Sequence, residues 1–203
     1  LGMPEHKRWV LLANWLDHSM IRNSVAFDIA QVVEYAWRNS GGAIGDGIPW
    51  NVHGQNVELV FIENGEAHHV GNYYLCEQIK IDENRLNIRD SYEDVLSTNM
   101  ADCGYLLEFD MKEDEDTKYT TSNGAWVKFK DDAIAGTSLF TAVSKKIQGI
   151  EDNLDAGNYT AAYNDLDINS LVDQFLIWEL TMNREYGDPG SVYMFLDGDG
   201  KLC

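Results

Sequence analysis

Cationic residues are scarce in this sequence: 15 Lys and Arg stand against 34 Asp and Glu, for a net charge of −19. Each contact with a phosphate needs a cation, so this balance argues against nucleic acid or an anionic membrane as partner. It suits a soluble protein or one that handles divalent cations. Cysteine is nearly absent too. Cys76, Cys103 and Cys203 form an odd set without CxxC spacing, which supports neither a disulfide framework nor a zinc site. No apolar run approaches the roughly 20 residues needed to span a bilayer. The opening "LGMPEHKRWVLLANW" has no signal-peptide layout, because its apolar stretch is short and close behind the charges. The chain does not begin with Met and both ends fall beside strand-like runs, so it reads as a fragment whose missing signal says little about location.

What is present is an ordinary globular composition, 44% hydrophobic and 24% charged, long enough to bury a core. "RWVLLAN" (8–14) reads as a strand. Residues 19–42 read as a helix with Ile21, Val25, Ile29, Val32 and Val33 at helical spacing, capped by Asp17 or Ser19 and ended by Gly41–Gly42. The "GGAIGDG" that follows leaves a helix instead of opening one, so it is a loop and no phosphate cradle. "VELVFIENGEAHHVGNYYLCEQIKID" is a hairpin about Asn64-Gly65, and "NRLNIRD" is expected to continue the sheet. Strands follow at 103–110 and 125–130. Between them the acidic "DMKEDEDTK" lacks calcium-loop order and reads as a solvated hairpin tip. Two helices close the chain, one with Leu139, Val143, Ile147, Ile150 and Leu154 on one face, the other "INSLVDQFLIWELTMN". Strands first and helices last predict an α+β fold, a sheet lobe packed on a helical lobe.

Chemistry concentrates at the end of the last helix. Glu179 shares a face with Val172, Phe175 and Leu176, and Asn183 lies one turn on. A carboxylate on an apolar stripe is costly unless bonded, so Glu179 is expected to fasten a neighbouring loop. In that loop Glu185 and Asp188 are close enough to share a cation or a proton, and Ser191 opens the next strand. Helix, acidic loop and strand with a second oxygen ligand can form the corner of a phosphoryl-transfer site. Alternatively, the acids merely solvate a turn, as "DGDG" (197–200) does in a hairpin. His68 and His69 point to opposite faces of their strand and cannot easily share a metal. Arg22, if buried, would suit a carboxylate such as Glu77.

Three stretches together resemble the CotH family of spore-coat protein kinases: "WVLLANWLDHSMIRNSVAFDIA", "NYYLCEQIKIDENRLNI" with "GYLLEFD", and "LVDQFLIWELTMNREYGDPGSVYMFLDGDGKL". The resemblance runs from about Trp9 to Leu202. It implies a protein-kinase-like two-lobe fold, truncated at both ends, that uses ATP and Mg²⁺ to phosphorylate protein Ser or Thr. Residues 1–82 would form part of the N-lobe. Residues 83–203 would hold the strands after the hinge and the first part of the C-lobe. By the same resemblance Glu77 and Gln78 border the nucleotide, the helix bearing Arg22 corresponds to the regulatory helix, and Glu179 and Asn183 support the catalytic loop.

Glu185 falls where the catalytic Asp belongs, with Asp188 as alternative base, and Ser191 falls near a metal-binding Asn. These are departures, since Glu is longer than Asp and Ser is a poorer ligand than Asn. The distance from Glu185 to Ser191 is also one position longer than the kinase spacing. The isolated piece is therefore expected to lack activity, a second metal-binding acid falling beyond Cys203. The alternative is a degenerate relative acting as a surface or coat-assembly module. Either way the resemblance implies a protein substrate or coat protein as partner, and a spore-coat or cell-surface location.

Overall fold

The computed structural model describes residues 2–114, 116–183 and 190–203, and its elements form an α+β fold. The first sheet joins β1 (Trp9–Ala13), β2 (Gly54–Glu63) and β3 (Glu66–Glu77) in the antiparallel order β1-β3-β2. Its hairpin turns at Asn64-Gly65, where φ is 53° and 84°. Two consecutive left-handed residues match the right-handed twist of the strands, which is why Asn-Gly is favoured there. β1 pairs only with Tyr73–Glu77, so the outer half of the hairpin is two-stranded.

The helix α1 (Arg22–Asn39) lies against this sheet, but not on the face its apolar spacing suggests. Phe27 stacks on Tyr74 with ring centroids 5.4 Å apart, and Ala30 and Glu34 are buried behind it. Val25, Val32 and Tyr35 point outward. Small Ala30 permits close approach to the sheet, and the buried Glu34 is held by bonds described below. The expected continuation of the sheet through "NRLNIRD" is also corrected. Past Glu77 the chain forms only an isolated Ile81–Leu86 bridge and tight turns.

A second sheet, rather than an extension of the first, takes β4 (Gly104–Phe109), β5 (Lys118–Thr120), β6 (Trp126–Phe129) and β7 (Val192–Asp197), in the order β5-β6-β4-β7. A one-turn helix, α2 (Tyr92–Val95), precedes it. The long helix α3 (Ser138–Asp155) buries Leu139, Val143, Ile147 and Ile150 against Leu107, Val127, Phe129 and Leu196. This is the face expected from the spacing, except that Leu154 is exposed. Thr137 caps it, its hydroxyl accepting the Phe140 N–H. Two more helices follow, α4 (Tyr159–Asp165) and α5 (Ile168–Thr181). β7 then returns from the helical part to pair with β4. A second core cluster unites Tyr74 and Cys76 of β3 with Leu106 of β4 and Phe195 of β7, so the two sheets share apolar packing.

The acidic run 110–118 is exposed over residues 111–114, as a solvated segment is, but it also holds buried cations. The Lys128 side chain is fully buried, and its ammonium donates to Asp110 Oδ2 at 3.0 Å, to the Lys112 carbonyl at 2.7 Å and to Asp114. Lys130 pairs with Glu108 at 2.8 Å and Asp116 at 2.7 Å. Burial works against the charged form of Lys128, but its hydrogen bonds to Asp114 and Asp110 outweigh it and raise the pKa. The run's carboxylates meet the ammonium groups of Lys128 on β6 and of Lys130 just after it, which a reading of local charge could not see. Among the described residues no helix is long and apolar enough to cross a membrane.

Candidate functional site

The end of β3 is where buried charge accumulates. Glu77 pairs with Trp9 in register and is 2% exposed. Its Oε2 accepts the His53 backbone N–H at 3.1 Å and lies 3.0 Å from His53 Nδ1, while the Glu77 N–H donates to the His53 carbonyl at 3.0 Å. On the other side of His53, Nε2 sits 3.9 Å from Glu34 Oε2. Glu34 in turn accepts the Asn51 N–H at 2.7 Å and the Arg38 guanidinium at 2.8 Å. His53 thus bridges two buried carboxylates, one from α1 and one from β3. Among the described residues the Glu77 Oε1 has no partner, a cost tolerated in few places. Next to it, burial and the Glu77 charge push the Cys76 thiol up to about 11.

Arg22 does not supply the partner that Glu77 was expected to have. Its side chain is 85% exposed, and its Nε lies 3.4 Å from Asp17. The Arg22 N–H donates to Asp17 Oδ2 at 2.8 Å, so Asp17 does hold the start of α1. The Ser19 hydroxyl, then the Arg22 N–H, lower the Asp17 pKa to about 2.

Gln78 leaves the sheet and is fixed by a residue the sequence reading overlooked. Arg85 is 3% exposed; its Nη1 donates to the Gln78 carbonyl at 2.6 Å and its Nη2 to the Arg8 carbonyl at 2.9 Å. The guanidinium lies over the Trp9 ring, 5.7 Å from the centroid. One planar fork therefore clamps the exit of β3 to the entry of β1. A groove of about 450 Å³ opens beside it, lined by Trp37, Arg38, Ile44, Pro49, Asn84 and Arg85. The Arg in "EQIKIDENR" was the available signal.

At the other end, Ser191 is exposed, has φ of 55° and precedes β7. β7 carries Phe195 into the cluster that holds Tyr74 and Cys76, so the strands leading to Gln78 and away from Ser191 share one core. Asp197 ends β7 committed to Arg89: its Oδ2 is 2.7 Å from Arg89 Nη1 and its Oδ1 accepts the Arg89 N–H at 2.9 Å. Asn183 is half-buried and donates its N–H to the Trp178 carbonyl at 2.9 Å. Glu179 is exposed, with Val172, Phe175 and Leu176 of its stripe also exposed, so its expected burial is corrected. Glu185 and Asp188 lie outside the described residues. His69 bonds Glu58 on the surface at 2.6 Å, and His68 beside it is exposed. Among the described residues no three His, Cys, Asp or Glu side chains are grouped to hold a metal ion.

The sequence as a whole matches the family described as CotH kinase protein, over residues 1–203. The chain belongs to the CotH kinase family. The match covers every motif noted above, including the Glu77–Gln78 segment and residues 184–189. No curated protein and no solved structure matches it. Within a CotH chain, the Arg85 clamp and the His53 bridge are the devices that set the end of β3 in place.

Proposed function

We propose that this CotH chain is a kinase-like domain with the two-lobe arrangement, using ATP and Mg²⁺ to phosphorylate Ser or Thr of a protein substrate. The observation that carries the reading is family membership across the whole chain. Gln78 and Glu77 border the nucleotide. Glu185 or Asp188 orients the attacking hydroxyl and takes its proton as its oxygen bonds to the γ-phosphorus and the bond to the β-phosphate breaks, releasing ADP. The exposed Ser191 hydroxyl is a neutral oxygen of the kind a hard cation accepts, and it would hold Mg²⁺ together with one of those acids. Bound Mg²⁺ would supply neutralisation of phosphate charge. The chain's own part is positioning, which accounts for most of the rate in this chemistry.

The isolated 203-residue chain is expected to transfer no phosphate, so the test is transfer of label from γ-labelled ATP to protein hydroxyls by the full-length protein in the presence of Mg²⁺, with Glu185→Gln and Asp188→Asn beside the wild type. Loss of transfer in one variant identifies the base. ATP binding without transfer would favour a second reading, a binding or coat-assembly module at the cell or spore surface. That reading is favoured by Glu185 and Ser191 standing where kinases place Asp and Asn. No ATP binding at all would overturn the kinase reading.

A further inference from the structure

The loop that leaves α1 and the start of α5 are far apart in sequence and joined by a buried carboxylate. Asp167 is 1% exposed. Its Oδ2 accepts the Gly47 N–H at 2.7 Å and its Oδ1 accepts the Asn169 N–H at 3.1 Å, which caps α5. Its backbone joins one further segment and bonds within α5. The Asp167 N–H donates to the Leu202 carbonyl at 2.9 Å, and its carbonyl accepts from the Ser170 hydroxyl at 2.9 Å. The neighbouring contacts repeat the pattern: Asn169 bonds Asp46, and Asp173 accepts the Ile48 N–H. Trp37 of α1 stands against the same loop. A Cβ on Gly47, whose φ is 107°, would lie 2.9 Å from that indole, so the loop is held between α1 and α5 with no room for a side chain.

We propose that Asp167 is a positioning residue that locks α1, α5 and the segment after β7 into one fixed relation. This deepens the kinase reading and rests on it for its catalytic consequence. α5 runs from Ile168 to Thr181, four positions before Glu185 in the sequence, and Leu202 follows β7, which Ser191 precedes. The other end of α1 lies over β3, which delivers Gln78. Both halves of the proposed site are therefore referred to a single residue, the α1 loop through its carboxylate and Leu202 through its backbone N–H. A neutral amide cannot replace it, because Asn accepts at one atom only and must give up either Gly47 or Asn169.

Hydrogen exchange read by mass spectrometry on the intact protein tests this with Asp167→Asn and Asp167→Ala. Asn is as good a helix cap as Asp, so the first variant separates capping from the loop tie. The expected result is exchange at least about ten-fold faster at residues 45–48, at 201–203 and in the last turn of α5, with β4 unchanged. ATP affinity by calorimetry stays within about two-fold while turnover falls about ten-fold or more, since misplacement penalises chemistry more than binding. Faster exchange confined to residues 168–171, or wild-type exchange in Asp167→Asn, overturns the proposal. Should Asp167→Ala fail to fold, Asp167→Asn alone decides. A wild type that binds no ATP removes the kinase reading only; the exchange pattern still decides whether Asp167 locks the three segments.

Discussion

Replacing Arg85 by Lys keeps the charge and most of the stem, yet it is expected to loosen the end of β3. The guanidinium bonds two carbonyls at once, Gln78 at 2.6 Å and Arg8 at 2.9 Å, and covers Trp9. A Lys ammonium is a point charge that cannot reproduce the planar fork. One hydrogen bond from a charged donor is lost, about 1.5–3 kcal/mol, because the carbonyl left behind is part-buried. Loss of stacking on Trp9 adds about 0.5–1 kcal/mol. The sum, about 2–4 kcal/mol, lowers Tm by roughly 5–10 °C for a domain of this size. Thermal unfolding followed by tryptophan fluorescence measures it. ATP affinity should fall in the same variant, since Gln78 is no longer held. A Tm within about 1 °C of wild type would refute the reasoning, because a merely superficial fork would cost no more than an ordinary surface change.

Lys128→Met should cost about 3 kcal/mol, the low end for removing one partner of a buried ion pair, since Asp110 and Asp114 still reach water. The loss, read by urea denaturation, should be the same with and without added salt, because a buried ammonium is little screened; a loss that vanishes in salt would contradict the burial. Asp173→Asn should stabilise. Burial, then the Asp167 charge, raise the Asp173 pKa above its usual 3.8 although the Ile48 N–H opposes this. The native state therefore holds this proton more tightly than the unfolded chain, so the penalty is full above the raised pKa and is relieved as pH falls through it. The variant should melt higher than wild type at neutral pH, the gap closing as the pH is lowered towards 3.8; a gap independent of pH would refute it.

Local signals read well where one element suffices to explain them. Asn64-Gly65 dictates its turn, Thr137 its cap, and Leu139, Val143, Ile147 and Ile150 their face. They fail where burial depends on a partner elsewhere in the chain. The apolar spacing of α1 pointed to Val25 and Val32, but the sheet receives Phe27, Ala30 and Glu34, since Glu34 finds Asn51 and Arg38 there. Glu179 was assigned to the interior by the same periodicity and lies outside. Likewise Glu77 found His53 in place of Arg22, and Asp110, Asp114 and Asp116 of the acidic run 110–118 found Lys128 and Lys130.

From its sequence alone, this protein's acidic character, its α+β class and its CotH motifs were legible, because each depends on residue type and spacing along the chain. Which carboxylate meets which cation, and which face of a helix is covered, was settled only by tertiary packing. A charge becomes affordable in the interior only when distant residues complete its hydrogen bonds, as the Gln78 and Arg8 carbonyls do for Arg85 and the Gly47 N–H does for Asp167.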